Sequence, residues 1–228
     1  MTKSRKKTTR EPQYQLCLDY AEERGLESLG LMTSQTWYDD PRRLVFTLSR
    51  YKFVSKMFEG FGHVLEVGCG DGFGTRIVRQ AVDAVTAVDF DPVFIEDAAS
   101  RACDKWNVNF RVHDMLDAPL EGAFDAAYAL DVLEHISPQD EDRFLAHVCQ
   151  SLKPGGCCIM GMPSLESQPH ASPASKAGHV NCKSLPDFKE VMRKYFNCVH
   201  GFSMNDEVVH TGFHKMANYL LVFGTGRI

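Results

Sequence analysis

Between Val64 and Gly74 the chain reads Val-Leu-Glu-Val-Gly-Cys-Gly-Asp-Gly-Phe-Gly, an apolar run that breaks into glycines and then into a helical pattern. Glycines at such a break let the backbone approach a ligand closely and leave amides exposed at a helix start. A pyrophosphate-binding loop wants a third glycine, or an alanine, in the frame G-x-G-x-x-G. Counted from Gly68 that place holds Phe73, and counted from Gly70 it holds Thr75, so both frames fail. Glu66 sits beside the loop, where it repels phosphate and attracts a cation. Further acids close the apolar runs that follow: Asp89 in Ala-Val-Asp-Phe-Asp, Asp114 in His113-Asp114-Met115, and Asp131 after Ala-Leu. In an open α/β sheet these carboxyl ends share one crevice. Asp89 is placed to accept hydrogen bonds from paired ribose hydroxyls. Asp114 can take an adenine amino group, with Met115 covering the ring. Acids lining the crevice suit a ligand that carries positive charge rather than phosphates.

A second constellation starts where the fourth apolar run ends, in Leu130-Asp131-Val132-Leu133-Glu134-His135-Ile136, with His179 further on in Ala-Gly-His-Val. Asp131, Glu134, His135 and His179 offer two carboxylates and two imidazoles, a set that can bind a divalent ion and lower the pKa of a bound hydroxyl. The simpler reading leaves Glu134 to cap a helix and His135 to act alone as general base. Both readings put His135 at the chemistry.

These residues need a scaffold, and the hydrophobic pattern supplies one. Short apolar runs at 63–67, 84–88, 108–112, 124–130 and 157–160 alternate with amphipathic segments near 73–82, 92–105 and 138–152. Strands of five or six residues separated by such helices predict βαβ units and a parallel sheet. Lys153-Pro154-Gly155-Gly156 predicts a turn. A helix near 184–195 precedes strands near 197–203 and 219–223, which are close enough in sequence to pair antiparallel at the sheet edge. Ahead of the sheet, residues 12–24 and 41–60 read as helices, with a looser stretch around Trp37 and Tyr38 between them. The organisation is then a basic tail over 1–10, a helical cap over 11–60 and one α/β unit over 61–228.

With 228 residues, 44% apolar and 24% charged, the composition is that of a globular protein. No apolar run reaches the roughly 18 to 20 residues a membrane helix needs. Eight cysteines without a C-x-x-C pair read as reduced thiols, and the basic start has no apolar segment after it, so a cytoplasmic protein is expected. Net charge is −5, and residues 1–10 hold five basic and no acidic side chains, leaving the rest at −10. An acidic body argues against a general nucleic-acid binder.

Taken together, the glycine loop, Asp89, Asp114 and the strand Phe124-Asp125-Ala126-Ala127-Tyr128 closely resemble the class I S-adenosylmethionine-dependent methyltransferases, over roughly residues 60 to 165. The resemblance implies a Rossmann-like seven-stranded sheet with an antiparallel last strand. It also implies S-adenosylmethionine as cofactor and S-adenosylhomocysteine as product. Glu66, Gly68, Cys69 and Gly70 then hold the methionine part, Asp89 with Phe90 the ribose, and Asp114 with Met115 the adenine, while Asp131 joins the cofactor set. Arg50, as the cation, and Tyr51 are the candidates for the methionine carboxylate. The D-x-x-E-H run with a later histidine is similar to ubiquinone-biosynthesis O-methyltransferases and to metal-dependent small-RNA 2′-O-methyltransferases. It differs in placing Asp131 where glutamate is usual.

The expected acceptor is a small polar, hydroxylated or anionic molecule such as a sugar or polysaccharide precursor, methylated on oxygen. The proline-rich segment 161–179 is expected to form a lid. Asn205, His210 and His214, in the connection before the last strand, are candidates to bind a polar substrate, and Trp37 and Tyr38 to wall the pocket. The rival readings are an RNA 2′-O-methyltransferase, a non-catalytic cofactor-binding module and a nicotinamide enzyme.

Overall fold

The computed structural model describes residues 7–228. The first six residues of the basic tail lie outside that range. A single sheet of eight strands runs in the order β3-β2-β1-β4-β5-β8-β6-β7. Its parallel half comprises β1 (His63–Val67), β2 (Ala84–Asp89), β3 (Asn109–Val112), β4 (Phe124–Leu130) and β5 (Leu152–Pro163). β6 (Phe196–Asn205), β7 (Val208–His210) and β8 (Tyr219–Arg227) complete it, with β8 antiparallel to both β5 and β6.

The sheet therefore has eight strands rather than the expected seven. The extra one, β7, folds back on β6 through the Asp206 turn, where φ is +49°. The segment looked like a bare connection because three residues carry too little alternation to read as a strand. The expected Lys153–Gly156 turn is a bulge inside β5: Phe124 pairs Leu152, while Ala126 already pairs Cys157.

β1 and β4 are buried at nearly every position because helices cover both faces of the sheet. On one face α3 (Pro41–Met57), α4 (Thr75–Arg79) and α5 (Pro92–Ser100) bury Val54, Phe58, Val78 and Ile95 against Val64, Ala126 and Tyr128. On the other, α6 (Glu141–Ser151) and α8 (Leu185–Arg193) bury Phe144, Val148, Phe188 and Met192 against Leu65, Phe124 and Ala127. Ahead of them, α1 (Gln15–Arg24) buries no residue, and the stretch expected to be loose is a helix, α2 (Leu31–Asp39). Its apolar periodicity is poor because only Thr33 is buried. Polar contacts hold it instead: Asp71 accepts from Thr33 N at 2.7 Å and from Thr33 Oγ1 at 3.2 Å, and Asp97 accepts from Leu31 N at 3.1 Å. These carboxylates satisfy amides that a helix start leaves open. No helix among the described residues is long and apolar enough to cross a membrane.

Candidate active site

The loop after β1 turns on glycines that other residues replace poorly. Gly68 has φ +73°, and a Cβ there would lie 2.3 Å from the Val132 side chain; Gly70 has φ +51° and faces Met32 Sδ of α2. The loop thus threads between α2 and the end of β4. It is pinned from β2: Val88 O accepts from Gly68 N and Cys69 N, and Asp89 Oδ2 accepts from Gly70 N at 2.9 Å. Asp89 Oδ1 takes the amide of Asp91 at 3.0 Å, so each carboxylate oxygen keeps one lone pair for a hydroxyl donor. Phe90 beside it is 71% exposed. Asp114 accepts from Leu116 N at 2.8 Å and remains half-buried.

Two of the expected cofactor contacts are not where the sequence put them. Glu66 lies beneath the loop rather than in the crevice, accepting from Thr75 Oγ1 at 2.6 Å. Burial pushes its carboxyl up to about 7. Met115 is 3% exposed and belongs to the core. It sits one residue past a strand-end acid, and the turn there swings its side chain inward.

A cavity of about 390 Å³ opens between α2, α3, the glycine loop and the end of β4. Gly68, Cys69, Gly70, Asp131, Glu134, His135 and His179 share its wall with Arg50. Asp131 leaves β4 with φ +58°, an unusual backbone for a residue with a side chain. Its carboxylate accepts from Arg50 at 2.5 Å, and the guanidinium lies 3.7 Å from the Tyr219 ring centre. Arg50 is thus already paired, and its Nε is buried without a partner.

The next turn, Leu133–His135, carries Glu134 and His135. Glu134 is fully buried, and neither of its side-chain oxygens has a partner, so it caps no helix. Desolvation, with the Asp131 charge adding to it, holds its carboxyl well above the usual range. His135 Nδ1 lies 2.9 Å from Gly178 O. A carbonyl only accepts, so Nδ1 carries a proton, and in the neutral ring the lone pair is on Nε2. His179 is brought alongside because Glu134 O accepts the amides of Val180 and Asn181. The two imidazole rings are 5.2 Å apart, and burial, then the neighbouring His135, lowers the His179 pKa. One donor atom each from Glu134, His135 and His179 lie within 4.8 Å of one another. Asp131, expected as a fourth ligand, is outside that group and engaged with Arg50.

Residues 64–156 match the sequence profile of the family described as a methyltransferase domain. A ubiquinone biosynthesis O-methyltransferase of Xanthomonas axonopodis pv. citri is 30% identical over 138 residues, 58% of this chain and 57% of that one. Residues 64–156 of this chain thus resemble a methyltransferase domain. The chain spans a little over half the length of the curated relatives it matches first. Among solved structures, the methyltransferase bound to the Haloferax volcanii Trm112 activator aligns with TM-score 0.66 and 16% identity, over 87% of this chain and 99% of that one. The N-methyltransferase NodS from Bradyrhizobium japonicum, in complex with S-adenosylhomocysteine, aligns with TM-score 0.62 and 16% identity, over 83% and 90%. These likenesses speak to the fold.

The segment 161–179, expected as a lid, continues from the end of β5 into a two-turn 3₁₀ helix (Leu165–His170) and a short α7 (Pro173–Gly178), and it walls the cavity through Ser175 and His179. Trp37 and Tyr38 do not line it; they are 53% and 88% exposed on the outer side of α2. His210 Nε2 is 2.9 Å from Asn205 Oδ1, so those two residues bind one another across the β6–β7 hairpin, and with His214 they lie outside the cavity wall. Sequence reasoning missed Asp71, Thr36, Thr47 and Arg43. The acid inside the glycine run was a visible signal for Asp71. For Arg43, two arginines opening α3 beside a proline gave no hint of which one faces the crevice.

Proposed function

We propose that the chain is an S-adenosylmethionine-dependent O-methyltransferase acting on a small polar acceptor. The observation that carries this reading is the placement of the buried, unpartnered Glu134 and of His135, His179 and the glycine loop around one cavity. The donor set fits the cofactor: Asp89 has free lone pairs for ribose hydroxyls, Asp114 stands at the next strand end for adenine, and the loop admits close approach of a ligand. When bound, S-adenosylmethionine supplies a methyl carbon on a sulfonium, which leaves as a neutral thioether and needs no acid. What the protein must supply is an acceptor oxygen ready to attack. His135 does so through Nε2, taking the hydroxyl proton while Gly178 O holds its Nδ1–H and fixes the ring.

The Glu134–His135–His179 cluster favours a second reading of the same step, in which a divalent ion on these three side chains lowers the pKa of the acceptor hydroxyl. An ion there would also satisfy the two orphaned Glu134 oxygens. Incubation with S-adenosylmethionine labelled on its methyl group and a metabolite extract, with and without chelator, tests both. Label in small molecules supports the reading, and its loss with chelator, restored by Mn²⁺ or Zn²⁺, favours the ion. Label confined to RNA or protein overturns the acceptor class.

A further inference from the structure

Two guanidinium groups line the cavity, and they are in opposite states. Arg50, at the inner end, is spent on Asp131. Arg43, in the first turn of α3, is exposed at the rim and has no ion pair or side-chain hydrogen bond among the described residues. Its charge is felt by Asp40, whose carboxylate already takes the side chain and amide of Arg42. Arg43 is therefore the uncommitted cation of the wall, on a helix that also contributes Thr47 to the lining. Its fork of N–H donors matches a planar or tetrahedral oxyanion. The inner end offers no free cation, because Arg50 is held by Asp131, and Glu134 there is buried and unpartnered. A ligand that fills the cavity thus meets the free guanidinium at the rim and a paired one at the β4 end.

We propose that Arg43 is a specificity residue that binds an anionic group, carboxylate or phosphate, on the methyl acceptor and so orients its hydroxyl inward. This rests on the methyltransferase reading above and narrows its substrate class from polar to anionic.

The test is calorimetric and uses matched pairs: 3,4-dihydroxybenzoate against catechol, and glycerol 3-phosphate against glycerol, each titrated into protein loaded with S-adenosylhomocysteine. The carboxylate and phosphate pairs separate the two anions. In the wild type, at least one anionic member should bind about tenfold tighter than its neutral twin, as one charge-assisted hydrogen-bond pair supplies. Arg43→Ala should erase that preference and leave the neutral twin unchanged, and Arg43→Lys should restore part of it. Equal or absent binding of every anionic member relative to its twin overturns the proposal, as does a preference that survives in Arg43→Ala. Loss of S-adenosylhomocysteine affinity in Arg43→Ala also overturns it, because the guanidinium would then serve the cofactor carboxylate. Failure of the wild type to bind S-adenosylhomocysteine at all would instead sink the methyltransferase reading.

Discussion

Glu66→Gln should flatten part of the pH dependence of stability. Glu66 is 1% exposed under the glycine loop, and its hydrogen bond from Thr75, with the Tyr128 and Tyr51 hydroxyls nearby, favours the charged form. Burial outweighs them and raises the carboxyl from 4.5 to about 7. The folded protein therefore holds this proton more tightly than the unfolded chain does. The stability that follows is fully present below the unfolded value and is lost as pH rises through the folded one. At about 1.4 kcal/mol per pH unit, the gap corresponds to about 3 kcal/mol in all, of which about 2 kcal/mol falls between about pH 5.5 and about pH 8. Glutamine keeps the shape and cannot ionise. Urea unfolding of both proteins at the two pH values gives the comparison: the wild type should lose about 2 kcal/mol more than the variant on going to the higher pH. Equal losses would refute the argument, and so would a wild type that gains relative to the variant.

The same geometry fixes further outcomes. His135→Ala should lower methyl transfer by about 100-fold to 10,000-fold, the range for a lost general base, with affinity for S-adenosylhomocysteine retained in calorimetry. Gly68→Ala forces a Cβ into Val132 at φ +73° and should cost about 1–2 kcal/mol in unfolding experiments, weakening cofactor binding as the loop shifts. Asp71→Ala removes both bonds to Thr33; a cost of about 1 kcal/mol, typical of a lost cap, should appear as faster proteolysis within residues 25–40.

Much of the scaffold could be read in the sequence because it rests on periodicity. β1, β2 and β4 fall on the expected apolar runs, and the antiparallel pairing of β6 with β8 follows from their short separation. Where the sequence was silent, contacts between distant segments decide. α2 forms through Asp71 and Asp97, 38 and 66 residues away from their partners. Glu66 looked like a ligand because its neighbours in sequence are the loop, whereas its partner in space is Thr75, and a fully buried position follows. Asp131 looked like a metal ligand by spacing, yet the left-handed turn at that residue aims it at Arg50 across 81 positions. Glu134, His135 and His179 do converge, because the backbone of Glu134 itself takes the amides that follow His179.

The central claim is that this crevice holds S-adenosylmethionine and that His135 prepares an acceptor oxygen beside it. The most direct measurement supplies S-adenosylmethionine with a trideuterated methyl group to wild type and His135→Ala, each first shown to bind S-adenosylhomocysteine, together with a metabolite extract analysed by mass spectrometry and NMR. The account predicts a deuterated methyl ether formed by the wild type and essentially none formed by the variant. Equal transfer by both proteins, or transfer only to nitrogen or sulfur, would contradict it.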